Sequence, residues 1–514
     1  MSRSKRFVTG LLASYAGIGV NILYTVASVP LALHYLDKEE FGVWALVTQL
    51  AGYLMLLEFG MSGSVARSLS DHKDSIKDGV YGSILRTGAR VFAIQGILVF
   101  LLGLVVAWFA PTLLGLPSRL HYSFSILMAA QALLSGARLA VGSLASPLWC
   151  HQRLDLSALA SSGSIVASFV VLWVCFHLSW HLYSLTIATA AGFIVSLAVT
   201  AYSCHRLGFY PPREYRGRFD PILFRELLHF GGGLFLMNLG AQLASASQVI
   251  VVSRLLGIES AAVWSIATKI FNLAQQFVAK IFDSSAGALA EMVVREETGR
   301  LQERFRDLIS ISAVLAVAAS GAIALTNEAF IEVWTSGRVT WDPWNDILLA
   351  CVLFSTTITR CHTCLVGISK QIRGMKYVNL FEGVAFVILS VFFGRWIGFS
   401  GLLFAALICN VGITGSYGVY RTAGYFRLAK LQVIGWILRP TGILLVTAGL
   451  FSITRLDFVA RLNATPRLCI GAATFCIALA PAIWFFGMSA GLRSELKGLL
   501  AKIFGKAKAT LRVA

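Results

Sequence analysis

Six ionisable side chains interrupt apolar runs of this sequence that are long enough to cross a membrane. Placing a charge at the centre of a bilayer costs at least about 2.5–3.5 kcal/mol, so such residues face a cavity or a partner. Arginine and lysine in such a cavity would bind an anion, and a phosphate or diphosphate suits them best. The six residues are Glu58, Arg138, Lys269, Lys280, Asp283 and Arg360.

The balance of charge favours a cavity with a positive lining. By helical rise, Arg138 and Arg360 lie within a turn or two of the centre of their predicted spans, and Lys269 lies in the outer half of its span. Cations exceed acids among these deep residues, which favours a polar cavity between two lobes of the protein. The predicted substrate-binding residues are Arg138, Arg360, Lys269 and Lys280.

Local ion pairing is the alternative interpretation of the same charges. Lys280 and Asp283 are three residues apart on one helix face, and for these two residues we favour pairing with each other. Glu58 lies near the centre of its predicted span, where Arg138 is its candidate partner across helices. Lys280 nevertheless remains among the candidates for the cavity.

The composition places these residues in a membrane protein. The chain has 514 residues, of which 57% are hydrophobic and 13% are charged, whereas a soluble protein carries about 25% charged residues. Most of the backbone must therefore satisfy its hydrogen bonds within lipid, as helices or as a closed barrel. The apolar runs are about 20 residues or longer and lack the alternation of barrel strands, which predicts helices.

We predict an all-α polytopic protein with about fourteen transmembrane helices. Charged or Gly/Pro-containing turns separate the spans, such as "LDKEE" at 36–40 and "GLPS" at 115–118. The predicted limits are 8–36, 41–64, 91–114, 122–146, 157–177, 182–203, 228–256, 261–288, 308–333, 345–368, 379–396, 399–420, 433–454 and 467–487.

The basic residues predict an orientation. If the N-terminus is cytoplasmic, cytoplasmic loops hold about four times as many Lys and Arg as the opposite side. The last external loop, with Arg455, Arg461 and Arg467, is the exception. Both termini are therefore predicted to be cytoplasmic. Topology accounts for most of the formal net charge of +18, so nucleic acid is not an expected partner.

The sequence also repeats itself. Residues 36–50, "LDKEEFGVWALVTQL", resemble residues 256–270, "LGIESAAVWSIATKI", with Gln49 replaced by Lys269. The offset of 220 residues spans six helices, and an even number preserves orientation, which predicts two parallel repeats. The predicted domains are an N-terminal lobe (1–203), a cytoplasmic inter-lobe loop (204–227), a C-terminal lobe (228–422), helices 13 and 14 (423–488) and a basic amphipathic tail (489–514) on the membrane surface.

No motif in the sequence indicates an enzyme. The chain lacks a nucleotide-binding loop, an HExxH motif and a GxSxG motif, and no ligand pattern indicates a metal. We therefore expect no catalytic residues and no bound cofactor. Transport against a gradient would have to draw on an ion gradient, of H⁺ or Na⁺, or on consumption of the substrate.

Fourteen spans in two six-helix lobes plus two resemble the oligosaccharide-lipid flippases of the multidrug/oligosaccharidyl-lipid/polysaccharide exporter superfamily. The segment 41–67, "FGVWALVTQLAGYLMLLEFGMSGSVAR", is similar to the family's second helix, with Glu58, Gly60 and Arg67 at its characteristic positions. The segment 148–164, "LWCHQRLDLSALASSGS", resembles the loop after helix four, with Gln-Arg-x-Asp at 152–155.

This resemblance implies a flippase that works by alternating access. It would move an undecaprenyl-diphosphate-linked oligosaccharide from the cytoplasmic to the periplasmic leaflet for O-antigen, capsule or exopolysaccharide synthesis. The implied partners are this glycan, membrane lipid, and a polysaccharide polymerase with its chain-length proteins. Glu58 and Asp283 are the candidate residues for ion coupling.

Three other functions remain open at this point. A drug or organic-cation antiporter of the same superfamily would need deep carboxylates, commonly in the first helix, and span 8–36 has none. A peptidoglycan-precursor flippase would be expected to place basic residues in its first helices, and span 8–36 has none of these either. A non-transporting assembly scaffold would have no reason to keep arginines within the membrane.

Overall fold

The computed structural model describes residues 3–72, 76–77, 79–151, 153–369, 373–488 and 493–494. Across these residues the secondary structure is helical, without strands. Twelve helical segments of the described chain are long and apolar enough to cross a membrane, and Leu438–Thr454 is a shorter apolar helix. The prediction of an all-α polytopic membrane protein is therefore confirmed, and the count of fourteen spans stays a prediction.

The helices follow the predicted order along the chain. In the first half they are α1 (Arg3–Tyr35), α2 (Lys38–Leu54), α3 (Met61–Asp71), α4 (Val80–Leu113), α5 (Ser118–Ala140), α6 (Ser146–Cys150), α7 (Leu154–His177), α8 (Tyr183–Arg206), α9 (Pro221–Leu256) and α10 (Ile258–Ala267). In the second half they are α11 (Lys269–Val294), α12 (Thr298–Trp334), α13 (Trp344–Ile368), α14 (Arg373–Ile397), α15 (Phe399–Cys409), α16 (Ser416–Phe426), α17 (Lys430–Gly435), α18 (Leu438–Thr454), α19 (Asp457–Ala460), α20 (Ala464–Thr474) and α21 (Ala480–Ala482).

The chain forms two compact units. The first comprises Met1–Lys269 and Lys376–Ala405, and the second comprises Ile270–Met375 and Ala406–Ala514. The boundaries of these units differ from those of the predicted lobes, which follow from the sequence repeat. The predicted domain boundaries stay a prediction. The predicted amphipathic tail at 489–514 lies outside the described residues, apart from 493–494.

The two predicted repeats begin at matching residues. Helix α2 starts at Lys38 and α10 starts at Ile258, which is the offset of 220 residues seen in the sequence. Asp37 caps α2 through a capping box, in which its carboxylate accepts from the Glu40 backbone N–H at 2.7 Å. The two copies also pack together, because a Cβ at Gly42 would meet the carbonyl oxygen of Ile258.

The prediction of continuous spans at 41–64 and 261–288 is wrong in one respect, because the α-helix is interrupted within each span. Helix α2 gives way to a 3₁₀ turn at Met55–Glu58, followed by left-handed residues Phe59 (φ 52°) and Gly60 (φ 69°) before α3. In the second copy α10 ends before Thr268, whose hydroxyl donates to the Trp264 carbonyl at 2.8 Å. Such a local bond competes with the helix ladder.

Small residues allow close helix crossings in the first unit. A Cβ at Gly96 of α4 would meet the carbonyl oxygen of Gly136 in α5, and a Cβ at Gly136 would meet that of Gly96. Two turns further along α4, a Cβ at Gly103 would meet the Cβ of Ala132 in α5. Close backbone approach of this kind drives helix association where both helices are surrounded by apolar groups.

The second unit is organised around α12. Phe305 of this helix packs edge-on against Phe282 and contacts Phe426 in a buried aromatic cluster. Towards the other end of α12, a Cβ at Gly471 would meet the carbonyl oxygen of Leu325. The C-terminal helices α18 and α20 are thereby packed directly on α12.

Candidate functional site

Arg138 lies in the last turn of α5, two residues before the helix ends at Ala140. The expectation that it lies near the centre of its span is therefore wrong. The predicted span ran to residue 146, but the chain leaves the helix at Val141 and forms a 3₁₀ turn at Gly142–Leu144 before the short helix α6. A helix end is a cheaper place for a charge than a span centre.

The crossing of α4 and α5 fixes the position of Arg138. Gly136, two residues before the arginine, is the residue whose backbone meets Gly96 of α4. Residues Ser135, Gly136 and Leu139 are buried against this neighbour, whereas the side chain of Arg138 is exposed on another face of α5. The tight contact on one face therefore directs the arginine away from α4.

Two further helices supply hydroxyl groups opposite Arg138. Ser157, Ser161 and Ser164 recur on α7 at intervals of four and three residues, so they share one face of that helix. Ser196 and Thr200 share one face of α8 in the same way.

These two faces are brought together by a glycine. A Cβ at Gly192 of α8 would meet the hydroxyl oxygens of Ser164 and Ser168 and the Ser164 carbonyl oxygen. Only a residue without a side chain permits this approach. The crossing of α7 and α8 therefore sets the spacing of the two rows of hydroxyls.

Arg138 and the hydroxyls line one pocket of about 390 Å³. Its apolar wall includes Phe193 and Trp149, and the guanidinium carbon of Arg138 lies 5.7 Å from the centroid of the Phe193 ring. The volume matches a small-molecule site, which typically spans about 300–1,000 Å³. The pocket is formed entirely by residues of the first unit.

Arg138 has no carboxylate partner among the residues that the structure describes. Glu58, its predicted candidate partner, instead accepts a hydrogen bond from the Ser62 backbone N–H at 2.9 Å. The pocket therefore presents one cation without a described counter-charge, two aromatic side chains and five hydroxyls. This set can bind an anionic group and hydrogen-bond to a polyhydroxylated one.

The sequence motif after helix four forms a local ion pair at the start of α7. Arg153 donates from Nε and Nη2 to the two carboxylate oxygens of Asp155, both at 2.9 Å. This hydrogen bond raises the pKa of Arg153. The bidentate pair stands at the start of α7, two residues before Ser157. The motif thus orders the first turn of the helix that carries three of the pocket hydroxyls.

The motif in the second span builds the helix break. Glu58 ends the 3₁₀ turn, and its carboxylate caps the start of α3 through the Ser62 N–H. Gln95 of α4 donates from Nε2 to the Glu58 carbonyl oxygen at 3.1 Å and so satisfies a group that the break has freed. Glu58 thus has a structural role, and its predicted role in ion coupling stays a prediction.

The other predicted site residues lie on α11 and α13. Lys269 is the first residue of α11 and is half-buried, and Lys280 is half-buried three turns further on. Arg360 has an exposed side chain on α13, four residues past the middle of that helix. Asp283 belongs to α11, but its side chain lies outside the described part of the structure. The cavity that these residues were predicted to share stays a prediction.

Two arginines of the second unit, unlike Arg138, form ion pairs with glutamates. Glu328 of α12 accepts from Arg455 at 3.3 Å and from Arg467 at 2.6 Å, and Arg467 also pairs with Glu332. Arg455, Arg467 and Glu328 are each at most one-fifth exposed. The two arginines of this Glu328 network belong to the loop that is predicted to be external and that departs from the charge rule.

Reasoning from the sequence missed the five pocket hydroxyls and the Glu328 network. The spacing of Ser157, Ser161 and Ser164 could have indicated a polar helix face within an apolar span. The network could not have been found in the same way, because Glu328 is more than 120 residues from its two arginines.

Known structures with this fold are membrane transporters. A multidrug resistance MATE family transporter of the MOP superfamily, in an inward-facing conformation, superimposes with a TM-score of 0.67 at 13% identity, covering 83% of this chain and 96% of that one. The lipid II flippase MurJ, in an inward closed conformation, gives a TM-score of 0.65 at 12% identity, covering 93% and 99%. A MOP superfamily transporter from Pyrococcus furiosus gives 0.62 at 13% identity, covering 82% and 96%.

At these identities the structures establish the fold, and the sequence family is established separately. No curated protein matches the chain in sequence. The family model described as "Polysaccharide biosynthesis protein" matches residues 9–286, which is more than half of the chain and includes α5, α7 and α8. The chain is therefore a multi-pass membrane protein that belongs to the polysaccharide biosynthesis protein family and has the fold of MOP superfamily transporters.

Proposed function

We propose that this protein is a flippase for undecaprenyl-diphosphate-linked oligosaccharides. It moves one repeat unit from the cytoplasmic to the periplasmic leaflet of a bacterial inner membrane by alternating access. The family supports a role in polysaccharide synthesis, and the fold is shared with a lipid II flippase. The protein catalyses no covalent step in this proposal.

The observation that carries the proposal is the pocket around Arg138. A guanidinium without a carboxylate partner offers a planar set of donors that matches a phosphate. The hydroxyls of Ser157, Ser161 and Ser196 are suited to exchange hydrogen bonds with a sugar. At about 390 Å³ the pocket has room for a sugar phosphate, and a longer glycan would extend beyond it.

The remaining predicted cations complete the proposal. Arg360, Lys269 and Lys280 would contact the substrate from α11 and α13 at other stages of transport. Glu58 and Asp283 are the carboxylates proposed for coupling to H⁺ or Na⁺. A polysaccharide polymerase and chain-length proteins would act on the exported unit.

The proposal is tested by the lipid-linked glycans that accumulate when the protein is removed. In a deletion strain, one undecaprenyl-linked repeat unit is expected to build up on the cytoplasmic face. Wild-type protein should relieve the build-up, and Arg138→Ala should not, because the anion loses its cationic partner. Membrane insertion of the variant is measured by fluorescence-detected size exclusion.

Arg395→Ala is the matched control. Arg395 is also an exposed arginine in the last turn of an apolar helix, α14, but it does not line the pocket. This variant should relieve the build-up as wild type does. If the deletion causes no build-up and instead alters tolerance of cationic dyes, the flippase proposal fails in favour of a drug antiporter.

A further inference from the structure

The segment that connects α8 to α9, residues 207–220, is held against the first unit by hydrogen bonds. The Tyr81 hydroxyl at the start of α4 donates to the Phe209 carbonyl oxygen at 3.2 Å. The Tyr210 hydroxyl donates to the Leu144 carbonyl oxygen at 3.0 Å, and burial raises the pKa of Tyr210, which keeps it a neutral donor. The ring of Phe209 also stacks on that of His151, with centroids 4.0 Å apart.

The second half of the segment is held just as closely. The Arg218 backbone N–H donates to the Ser83 hydroxyl at 3.3 Å, and the Asp220 N–H donates to the Thr87 hydroxyl at 3.2 Å. Gly217 has a left-handed φ of 64°, and a Cβ there would meet the Ser83 backbone. A loop that joins two halves of a transporter is thus docked along the first turns of α4.

The docked segment and the turns of α4 that bind it carry five exposed arginines, which we call the arginine platform. Each has an exposed side chain, and none forms an ion pair with a carboxylate of the described residues. Two of them help to hold the segment: Arg86 donates to the Gly217 carbonyl oxygen at 3.4 Å, and Arg90 lies over the Phe219 ring at 5.4 Å. The platform consists of Arg86, Arg90, Arg213, Arg216 and Arg218.

The platform lies beside one terminus of each of two candidate membrane spans. One span ends at Arg206, directly before the segment, and the other begins at Val80, directly before the residues that bind it. Side chains at this level meet lipid headgroups, and the aromatic residues of the segment are of the type found at that interface. Unpaired arginines at headgroup level attract anionic phosphates.

We propose that the arginine platform binds the phosphate headgroups of anionic phospholipids. Its arginines are pre-arranged by the docked segment, so binding selects anionic over zwitterionic lipid at this place. None of the platform arginines lines the pocket, and the inference does not depend on the proposed substrate.

The test uses the purified full-length protein in a neutral detergent. Native mass spectrometry counts bound phosphatidylglycerol and phosphatidylcholine when both are titrated together. Wild type is expected to retain phosphatidylglycerol preferentially. The triple variant Arg213→Gln, Arg216→Gln and Arg218→Gln should lose most of that preference, by about fivefold for each arginine removed.

A second triple variant is the matched control. Arg295, Arg300 and Arg306 are also exposed arginines on the side predicted to be cytoplasmic, but each pairs with a neighbouring carboxylate. Their replacement by Gln removes the same charge and should leave the lipid preference close to that of wild type. Gly217→Ala, which keeps every arginine but displaces the docked segment, should reduce the preference.

Three results would overturn the inference. Wild type could show no preference for phosphatidylglycerol. The two triple variants could lose the preference equally, in which case general charge is responsible and the platform is not a site. Undecaprenyl diphosphate, added as a competitor, could displace phosphatidylglycerol at far lower concentration, which would make the platform part of the substrate path. None of these results bears on the accumulation assay for Arg138.

Discussion

Arg138 and Arg467 both stand in the end turns of apolar helices, yet the protein surrounds them in opposite ways. Arg467 lies mostly buried against Glu328 and Glu332 of α12, and Arg455 shares Glu328 with it. Arg138 faces a pocket of hydroxyls and a phenyl ring, and no described carboxylate lies within ion-pair distance. The first arrangement pairs each cation with a carboxylate, and the second leaves the cation without a counter-charge among the described residues.

The Glu328 network also gives a structural use to an exception in the sequence. The last loop that is predicted to be external carries more arginine than the orientation rule allows. Two of these residues, Arg455 and Arg467, pair with glutamates of α12. They are therefore part of the packing of the second unit, whatever they contribute to orientation.

The largest expected effect comes from breaking the completed network. Glu328→Gln would leave two largely buried arginines without their shared carboxylate, and breaking a buried pair typically costs about 3–5 kcal/mol. We expect poor folding, seen as a strongly lowered Tm in detergent. Glu291→Gln is the control, because Glu291 and Arg295 form an exposed pair whose loss should cost less than about 1 kcal/mol. Equal effects of the two variants would contradict the distinction between buried and exposed pairs.

Arg138 should show the opposite behaviour, with function lost and stability kept. A hydrogen bond to a charged group contributes about 1.5–3 kcal/mol, so Arg138→Gln should weaken substrate binding by about 10- to 150-fold. Arg138→Lys keeps the charge but loses the planar donor set, and should fall between wild type and Arg138→Gln. The measurements are export by the accumulation assay and Tm of the same variants. A drop in Tm as large as that of Glu328→Gln would show that Arg138 has a structural role.

The spacing between α7 and α8 can be changed without replacing any polar side chain of the pocket. Gly192→Ala places a methyl group against Ser164 and Ser168, and such overpacking costs about 1–3 kcal/mol. We expect lower stability together with reduced export, as α8 moves away from α7. At Gly163 a Cβ would meet only Val195, at 3.6 Å, so Gly163→Ala should be tolerated. Normal export by Gly192→Ala would show that the spacing of these helices is not limiting.

The smallest effect is expected from a single pocket hydroxyl. Ser161→Ala removes one neutral hydrogen bond, worth about 0.5–1.5 kcal/mol, and should weaken binding by about two- to tenfold with little change in Tm. Ser162→Ala is a control on the adjacent residue, whose hydroxyl faces Gly17 of α1. The two variants are compared by the amount of protein needed to restore half of normal export. Identical values would show that the Ser161 hydroxyl does not contribute to substrate binding.

The two copies of the repeat show how far sequence similarity predicts structure. The matched starts of α2 and α10, 220 residues apart, follow from the aligned residues. The breaks do not match: α2 continues past Gln49 to Leu54, whereas the second copy breaks at Thr268 and starts a new helix with Lys269. Asp37 caps α2, whereas α10 follows Gly257 without a side-chain cap, so the matched starts do not rest on one capping group. A break within an apolar run depends in addition on neighbours such as Gln95, which satisfy the freed backbone.

The amino-acid sequence alone determined the helical membrane class, most of the spans, the repeat and the list of charged residues within apolar segments. These properties depend on composition and local periodicity. Because exposing polar backbone groups to lipid is costly, an apolar segment of sufficient length has to form a helix. Only the tertiary structure decided which of those charges are satisfied. Whether an arginine meets a glutamate, as Arg467 does, or a pocket of hydroxyls, as Arg138 does, depends on helix crossings between residues that are far apart in the chain, and these crossings are set by glycine contacts that no local pattern specifies.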